Sequence, residues 1–289
     1  MYWFSIAVLA AFFSGLTSII EKHSLKKIHA LQFSTIVNVL VTVLSACLIP
    51  LASFQISALQ VFLIFITSIT STIGFLLVAK ALRHGDISIS SPLLSTTPLF
   101  LTLLATIFLK EFLNKQQYFG IVLIVVGAFV LEVKALKQGF MASVLQIFKD
   151  KTSKYALLAA FSYAISSLIL RFVLTSNADF YTVFLLLQFF TALDMALITI
   201  TRFGFEDLNV LKHKKVFYTV LLASVTFFIS RVLTIMAINL TFVALAISII
   251  RLSTLFSTIA GGLLYHEDHL LKKTIASVIM LLGVFLINS

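Results

Sequence analysis

The sequence predicts an all-α integral membrane protein whose ten transmembrane helices form two inverted five-helix repeats. Three observations support this fold class: an apolar composition, ten apolar stretches of membrane-spanning length, and a second half that repeats the pattern of the first. Of the 289 residues, 60% are hydrophobic and only 11% are charged, and the mean hydropathy is +1.11. So few polar residues could not cover a water-soluble protein of this size, which excludes soluble enzymes and soluble nucleic-acid-binding domains.

The ten stretches are identified by length, because roughly 20 apolar residues at a rise of about 1.5 Å each cross the hydrocarbon core of a bilayer. The linkers at about 133–154 and 201–215 are short and basic, so function is expected inside the helix bundle. The first stretch lacks a basic n-region, and we expect it to be retained as a helix. The predicted helices lie at about 2–20, 32–52, 57–80, 87–109, 117–132, 155–174, 180–200, 216–238, 242–264 and 273–288.

The formal net charge of +10 is interpreted as a topology signal. Nearly all basic residues fall in the loops after the odd-numbered helices, whereas the opposite face has only Lys110, Lys115 and Arg171. The positive-inside rule then predicts cytoplasmic odd-numbered loops and both termini outside. Cys47 is the single cysteine, so no internal disulfide can form.

The repeat appears as matched positions separated by a constant offset. Glu111 and Glu267 are 156 residues apart, as are Gly127 and Gly283. A slightly shorter offset pairs Lys22 with Arg171 and aligns helix 1 with helix 6. Five helices is an odd number, so the second copy enters the membrane from the opposite face, as in the inverted repeats of alternating-access transporters. Chance similarity between helices rich in Leu, Ile and Phe is the alternative explanation.

Each half ends in a helix rich in small and hydroxyl residues, then an acidic turn, then a helix with a late glycine. This pattern resembles the EamA-type branch of the drug/metabolite transporter superfamily. The family pattern has glycine before the acidic residue, where this sequence has Lys110 and His266. The resemblance implies a ten-helix bundle that exports or exchanges small metabolites, with its site between the repeats. It is carried by Ser91–Phe100, Leu109–Glu111 and Gly127 in the first half, and by Leu255–Phe256, Tyr265–Glu267 and Gly283 in the second.

Ionisable residues inside spans are functional candidates because they are costly to bury in a bilayer. Arg231 and Arg251 lie about ten residues either side of a predicted turn near Asn239–Thr241, which places both near the midplane. Two guanidinium groups there favour an anionic ligand, since the planar fork of arginine binds carboxylate or phosphate. Asp194 is predicted either to form an ion pair with one arginine or to take up a coupling proton.

Polar residues of other spans complete the candidate site. Helix 4 carries Ser95 and Thr96 between Pro92 and Pro98, so we expect a kinked helix whose hydroxyls face a cavity. Close helix packing through these small residues is the alternative. Asn38 and Gln188 are mid-span amides that would either bind substrate or join helices by hydrogen bonds.

These observations predict a secondary-type transporter of a small organic metabolite, such as an amino acid or another carboxylated or phosphorylated solute. A non-transporting membrane sensor or subunit and an intramembrane enzyme are the alternatives. We expect no enzymatic activity, cofactor, metal or nucleic-acid partner, and we expect a multi-pass location in the cell (inner or plasma) membrane. A homodimer through the terminal helices of each repeat is suggested by glycine placement. The predicted organisation is a first repeat at 1–135, a basic linker at 136–153 and a second repeat at 154–289.

Overall fold

The computed structural model describes residues 2–24, 28–84, 93–132, 151–203, 214–257 and 270–288. Within these residues the chain is helical and has no β-strand, and each predicted helix has a counterpart. The α-helices are α1 Tyr2–Ser24, α2 Ala30–Ser45, α3 Ala58–His84, α4 Thr97–Leu104, α5 Lys115–Glu132, α6 Lys151–Thr175, α7 Phe180–Phe203, α8 Lys214–Leu240, α9 Val243–Ile250 and α10 Leu270–Asn288.

Six of these helices are long and apolar enough to cross a membrane: α1, α2 with its 3₁₀ extension Ala46–Leu51, α3, α6, α7 and α8. In α4, α5, α9 and α10 the described apolar part is shorter. The structure therefore supports a multi-pass membrane bundle, while the count of ten spans stays a prediction. Helix α6 begins at Lys151, inside the predicted linker 136–153, and the rest of that linker lies outside the described residues.

Helices 4 and 9 are both interrupted, and the interruptions fall at equivalent positions of the two repeats. A turn at Ser95 and Thr96 precedes α4, and a turn at Arg251 separates α9 from the helical residues 252–257. Ser95 and Arg251 are related by the offset of 156 residues. Pro98 explains the first break, since proline is accepted only in the first turn of a helix. At the second break the Arg251 carbonyl accepts hydrogen bonds from the Thr254 backbone N–H at 3.1 Å and from the Thr254 hydroxyl at 2.9 Å.

The helices pack in the pattern that an inverted repeat requires. Helix α3 packs along α6, and the equivalent pair α8 and α1 packs in the same way. The pair α4 and α6 is likewise matched by α9 and α1, while α2 packs on α7 and α5 on α10. The extensive contacts therefore run between the repeats rather than within them. This pairing supports the repeat that the matched positions predict, and it leaves a central space bordered by both halves.

Glycine allows a close contact between α5 and α10. A Cβ atom at Gly120 would lie 2.6 Å from the Gly283 carbonyl oxygen, and a Cβ at Gly283 would lie equally close to the Gly120 oxygen. The equivalent contact joins Gly127 to Ala276, where a Cβ at Gly127 would meet the Ala276 oxygen at 3.0 Å. These glycines serve packing inside one chain. The homodimer predicted from their placement loses that support and stays a prediction.

One end of the bundle carries four short connections, at residues 52–57, 110–114, 176–179 and 241–242. We call it the short-connection end. Asp179 caps α7 there, accepting hydrogen bonds from the Thr182 backbone N–H at 2.9 Å and from the Ser53 N–H at 3.2 Å. Burial works to raise the pKa of the Asp179 carboxyl, but these hydrogen bonds outweigh it and hold the pKa below its usual value.

Candidate functional site

A cavity of about 300 Å³ lies between the two repeats. Its lining residues on α3, α6, α7 and α8 cluster around the middle of those helices, so the cavity lies deep in the bundle. The chain supplies a carboxylate, a guanidinium, a phenol and several hydroxyl groups to its walls. The polar and charged lining residues are Glu21, Ser34, Asn38, Thr67, Ser71, Tyr163, Ser166, Ser167, Thr191, Arg231 and Thr234.

Arg231 is the one predicted arginine among these lining residues. It lies on α8, and its guanidinium carbon is 5.8 Å from the centre of the Phe227 ring, within the range of a cation–π contact. The Arg231 Nε atom is buried and has no hydrogen-bond partner among the described residues. A buried guanidinium nitrogen without a partner is costly, so an anionic acceptor that entered the cavity would be bound favourably.

Arg251 lies at the break that follows α9 and is not among the residues that line the cavity. The predicted turn between helices 8 and 9 is present at Thr241 and Phe242, which leaves the two arginines at similar distances from it. The Tyr163 side chain interacts electrostatically with Arg231, Arg251 and Glu21. Two cationic groups and one carboxylate are therefore within electrostatic range of the Tyr163 phenol.

Glu21 brings a negative charge into the cavity. It is half-buried near the end of α1, which continues to Ser24. Among the described residues no ion pair joins Glu21 to Arg231, although both line the cavity. Opposite charges therefore face one small space without neutralising each other directly.

Hydroxyl and amide groups hold the cavity walls together. The Ser71 and Ser166 hydroxyl oxygens are 2.6 Å apart, which joins α3 to α6. The Asn38 Nδ2 atom donates to the Ser34 carbonyl at 2.8 Å, and both residues line the cavity. The Asn38 side-chain oxygen keeps acceptor capacity for a ligand, because an amide has both donor and acceptor groups.

The remaining amide and hydroxyl candidates lie outside the set of residues that line the cavity. Ser95 and Thr96 form the turn before α4, where the Thr96 hydroxyl donates to the Leu93 carbonyl at 2.6 Å. Gln188 is buried on α7 beside Leu187, which lines the cavity. Both polar atoms of the Gln188 side chain lack a partner among the described residues. Such a group requires water or a ligand to satisfy it.

Asp194 lies in a different place, in a depression between α3 and α7. Its Oδ2 atom is buried without a partner in the described structure, and the nearby Ser68 hydroxyl donates to the Phe65 carbonyl at 2.8 Å. Thr72 lines the same depression, and its hydroxyl is also without a partner among the residues that the structure describes. In the described part of the chain Asp194 pairs with neither Arg231 nor Arg251, so the ion pair considered from the sequence is not formed there.

Glu21 and Tyr163 are the site residues that sequence reasoning missed. Glu21 follows the apolar stretch 2–20, so the sequence places it in a loop, whereas α1 runs on past it. A carboxylate one residue beyond a predicted span could have been considered, because span boundaries carry errors of a few residues. Tyr163 had no such signal. It is defined by packing, since a Cβ at Gly74 would lie 3.0 Å from its ring and only glycine leaves room for it.

Comparison with known proteins adds a family to this geometry. The model of the EamA-like transporter family matches residues 1–133 and 151–289. The chain belongs to the EamA-like transporter family. It is thus a multi-pass membrane protein of the drug/metabolite transporter superfamily, and the two matched parts agree with its two-repeat architecture.

Two further similarities concern this EamA-like chain. An uncharacterised protein of Methanocaldococcus jannaschii, MJ1333.1, is 34% identical over 132 residues, which make up 44% of this chain and 94% of that protein. That relative is therefore about as long as one repeat. A protein of known crystal structure has a TM-score of 0.71 and 15% identity, and the similarity covers 98% of this chain and 96% of that one. It shares the fold.

Proposed function

We propose that this EamA-like protein is a secondary transporter that exports or exchanges a small organic metabolite through the cell membrane by alternating access. The observation that carries the proposal is the central cavity, which both repeats line and where Arg231 and Glu21 stay unpaired with each other. A non-transporting sensor or subunit would have no need of charged groups around a space at the centre of the bundle.

The size of the cavity favours a metabolite rather than a large drug. Its volume of about 300 Å³ is at the lower end of the range typical of ligand sites. Apolar residues such as Phe75, Leu187 and Ile235 form the other walls. A compact solute with a polar head and a short apolar body fits this lining.

The charges favour a carboxylated or phosphorylated solute. Arg231 would bind the anionic group, and Arg251, which is within electrostatic range of the Tyr163 phenol, would strengthen the positive potential. Glu21 would bind an ammonium group if the solute has one, which makes an amino acid a good candidate. Asn38 would orient the solute through its amide, while Ser95, Thr96 and Gln188 are proposed to contribute as the helices move.

The interrupted helices support the proposal of alternating access. Discontinuous helices in corresponding positions of two inverted repeats are typical of the sites about which transporter halves rock. Here the interruptions occur at Ser95–Thr96 and at Arg251.

The test is metabolite export measured by mass spectrometry from cells that make equal membrane amounts of the wild type, Arg231→Ala or Arg202→Ala. Arg202 is exposed near the end of α7 and serves as the matched control. We expect an anionic or zwitterionic metabolite to leave faster with wild type and Arg202→Ala, and at least tenfold slower with Arg231→Ala, as the loss of one charge-assisted contact predicts. Equal export from all three would remove Arg231 from the site. No difference between wild type and empty vector would favour a sensor or subunit.

Asp194 is proposed as the coupling residue, because its Oδ2 atom has no partner among the described residues and is open to a proton. In proteoliposomes, Asp194→Asn should keep solute exchange and lose uptake driven by a pH gradient. Gradient-driven uptake at the wild-type rate would exclude this role.

A further inference from the structure

A buried ion pair closes the short-connection end. The Arg171 Nε atom donates to Glu111 Oε1 at 2.8 Å, and the two side chains are only 11% and 7% exposed. The second carboxylate oxygen of Glu111 accepts from the Val243 backbone N–H at 2.9 Å, at the start of α9. Arg171 Nη1 donates to the carbonyls of Ile238 at 2.7 Å and Asn239 at 2.9 Å, at the end of α8. We call Glu111, Arg171 and these backbone groups the latch.

The latch connects the two repeats. Glu111 follows α4 in the first repeat, whereas Arg171 and the backbone groups on α8 and α9 belong to the second. Other polar contacts at this end cross in the same direction. Asp179 accepts from the Ser53 N–H, and Gln60 Nε2 donates to the Ser176 carbonyl at 2.9 Å. These two contacts are exposed, whereas the side chains of the Arg171–Glu111 ion pair are mostly buried.

The latch also lies directly against the cavity. Leu170 precedes Arg171 on α6 and lines the cavity. Ile238 lines it as well, and its carbonyl is one of the groups bound by Arg171. The ion pair therefore lies next to the cavity wall, on the side of the short connections.

An ion pair suits a contact that must open. The cost of removing two charges from water largely cancels their attraction, so a buried pair adds little net stability compared with apolar side chains of similar size. If the two repeats separate, water reaches both charges and repays that cost. An apolar contact in the same place would instead be exposed unfavourably on opening.

We propose that the Glu111–Arg171 latch is the gate of the short-connection end, closed in this structure and broken when the transporter opens the cavity to that side. The proposal rests on the alternating-access function proposed above. Because both repeats contribute to the latch, rocking one against the other breaks it without unfolding a helix.

The test measures access to the cavity rather than transport. In a Cys47→Ser background, the variant Ser167→Cys places one thiol in the cavity wall. A separate variant, Gln116→Cys, has an exposed thiol at the start of α5 and identifies which side of the vesicle is the short-connection side. A membrane-impermeant maleimide is applied from either side of oriented vesicles. We expect Glu111→Gln to speed labelling of the Ser167→Cys thiol from the short-connection side about tenfold or more, and to slow it from the opposite side.

Lys115→Gln removes an exposed charge at the same end and should leave both labelling rates unchanged. Arg171→Lys keeps the charge but loses the guanidinium fork, and it should shift access in the same direction by a smaller factor. If Glu111→Gln fails to accumulate in the membrane, labelling in the Arg171→Lys variant tests the proposal. If the ion pair only stabilised the fold, these variants would be labelled faster from both sides or at an unchanged rate. Either result would overturn the gate proposal.

Failure of the gate is distinguishable from failure of transport. If the wild type exports solute, but the Ser167→Cys thiol is labelled at the wild-type rate in Glu111→Gln and Arg171→Lys, the gate proposal is wrong and the transport proposal is unaffected. If the Ser167→Cys thiol is labelled from neither side and no solute is exported, both proposals fall.

Discussion

Single backbone positions show how this chain departs from the usual family pattern. Lys110 has a φ of 55° and ends the π-helical turn Ala105–Leu109. This left-handed conformation is easy for glycine and unfavourable for other L-residues. The glycine that the resemblance implies before the acidic turn residue would suit this conformation, which precedes the Glu111 that pairs with Arg171. In this chain a lysine occupies the strained position.

Replacing that lysine should therefore stabilise the protein. Lys110→Gly removes the strain of the left-handed conformation but increases the chain entropy of the unfolded state. We therefore expect the free energy of unfolding to rise by about 0.5–1 kcal/mol. The melting temperature of the purified protein in detergent measures it. Asn177 has a φ of 60° and is the matched control, since asparagine accepts this conformation well and Asn177→Gly should gain much less. Equal shifts for the two variants would show that strain at Lys110 is negligible.

At the scale of elements, the α5–α10 contact depends on glycine at both helices. The carbonyl oxygen that a Cβ at Gly283 would meet at 2.6 Å belongs to the backbone of Gly120, so no side chain can move aside. The two helices would have to separate along their whole contact. Close packing of this kind replaces the hydrophobic driving force that helices lack inside a bilayer.

Gly283→Ala should consequently destabilise the bundle by about 1–3 kcal/mol, the usual cost of overpacking. The amount of folded protein after graded heating in detergent, read by fluorescence-detected gel filtration, would measure the loss. Val278→Ile is the control, because it adds one carbon at a position of α10 that is 51% exposed. A Gly283→Ala variant as stable as Val278→Ile would mean that the helices separate at little cost.

The sequence predicts helices better than it predicts the site, and the reason is physical. Each apolar stretch has to be a helix in lipid, because only a helix satisfies its own backbone groups there. Which side chains meet inside the bundle depends on packing between distant helices. Thus Arg231 and Asn38 stand out as polar residues in apolar runs, whereas Glu21 is missed at a helix end and Asp194 lies in a separate depression. No local pattern reveals that Gly74 leaves room for the Tyr163 ring.

At the scale of the whole molecule, the extensive helix contacts run between repeats. Each half packs mostly against the other, since α1 packs on α8, α3 on α6 and α5 on α10. The chain should therefore tolerate a break in the predicted linker 136–153, provided that both halves are present. A relative about one repeat in length agrees with such a division.

We expect residues 1–135 and 151–289, made as separate chains in one cell, to co-purify through a tag on one half and to restore export to within about tenfold of wild type; the second fragment starts where α6 begins. The reason is that packing between the halves does not require a continuous chain, and its strength over several helix pairs offsets the entropy that their association costs. Either half made alone should be degraded, because half of its packing surface would face lipid without a partner. Stable accumulation of 1–135 alone, at the level of the full chain, would contradict this and would indicate that one repeat can pair with a copy of itself. Pulling down tagged 1–135 with a differently tagged 1–135 separates these outcomes directly.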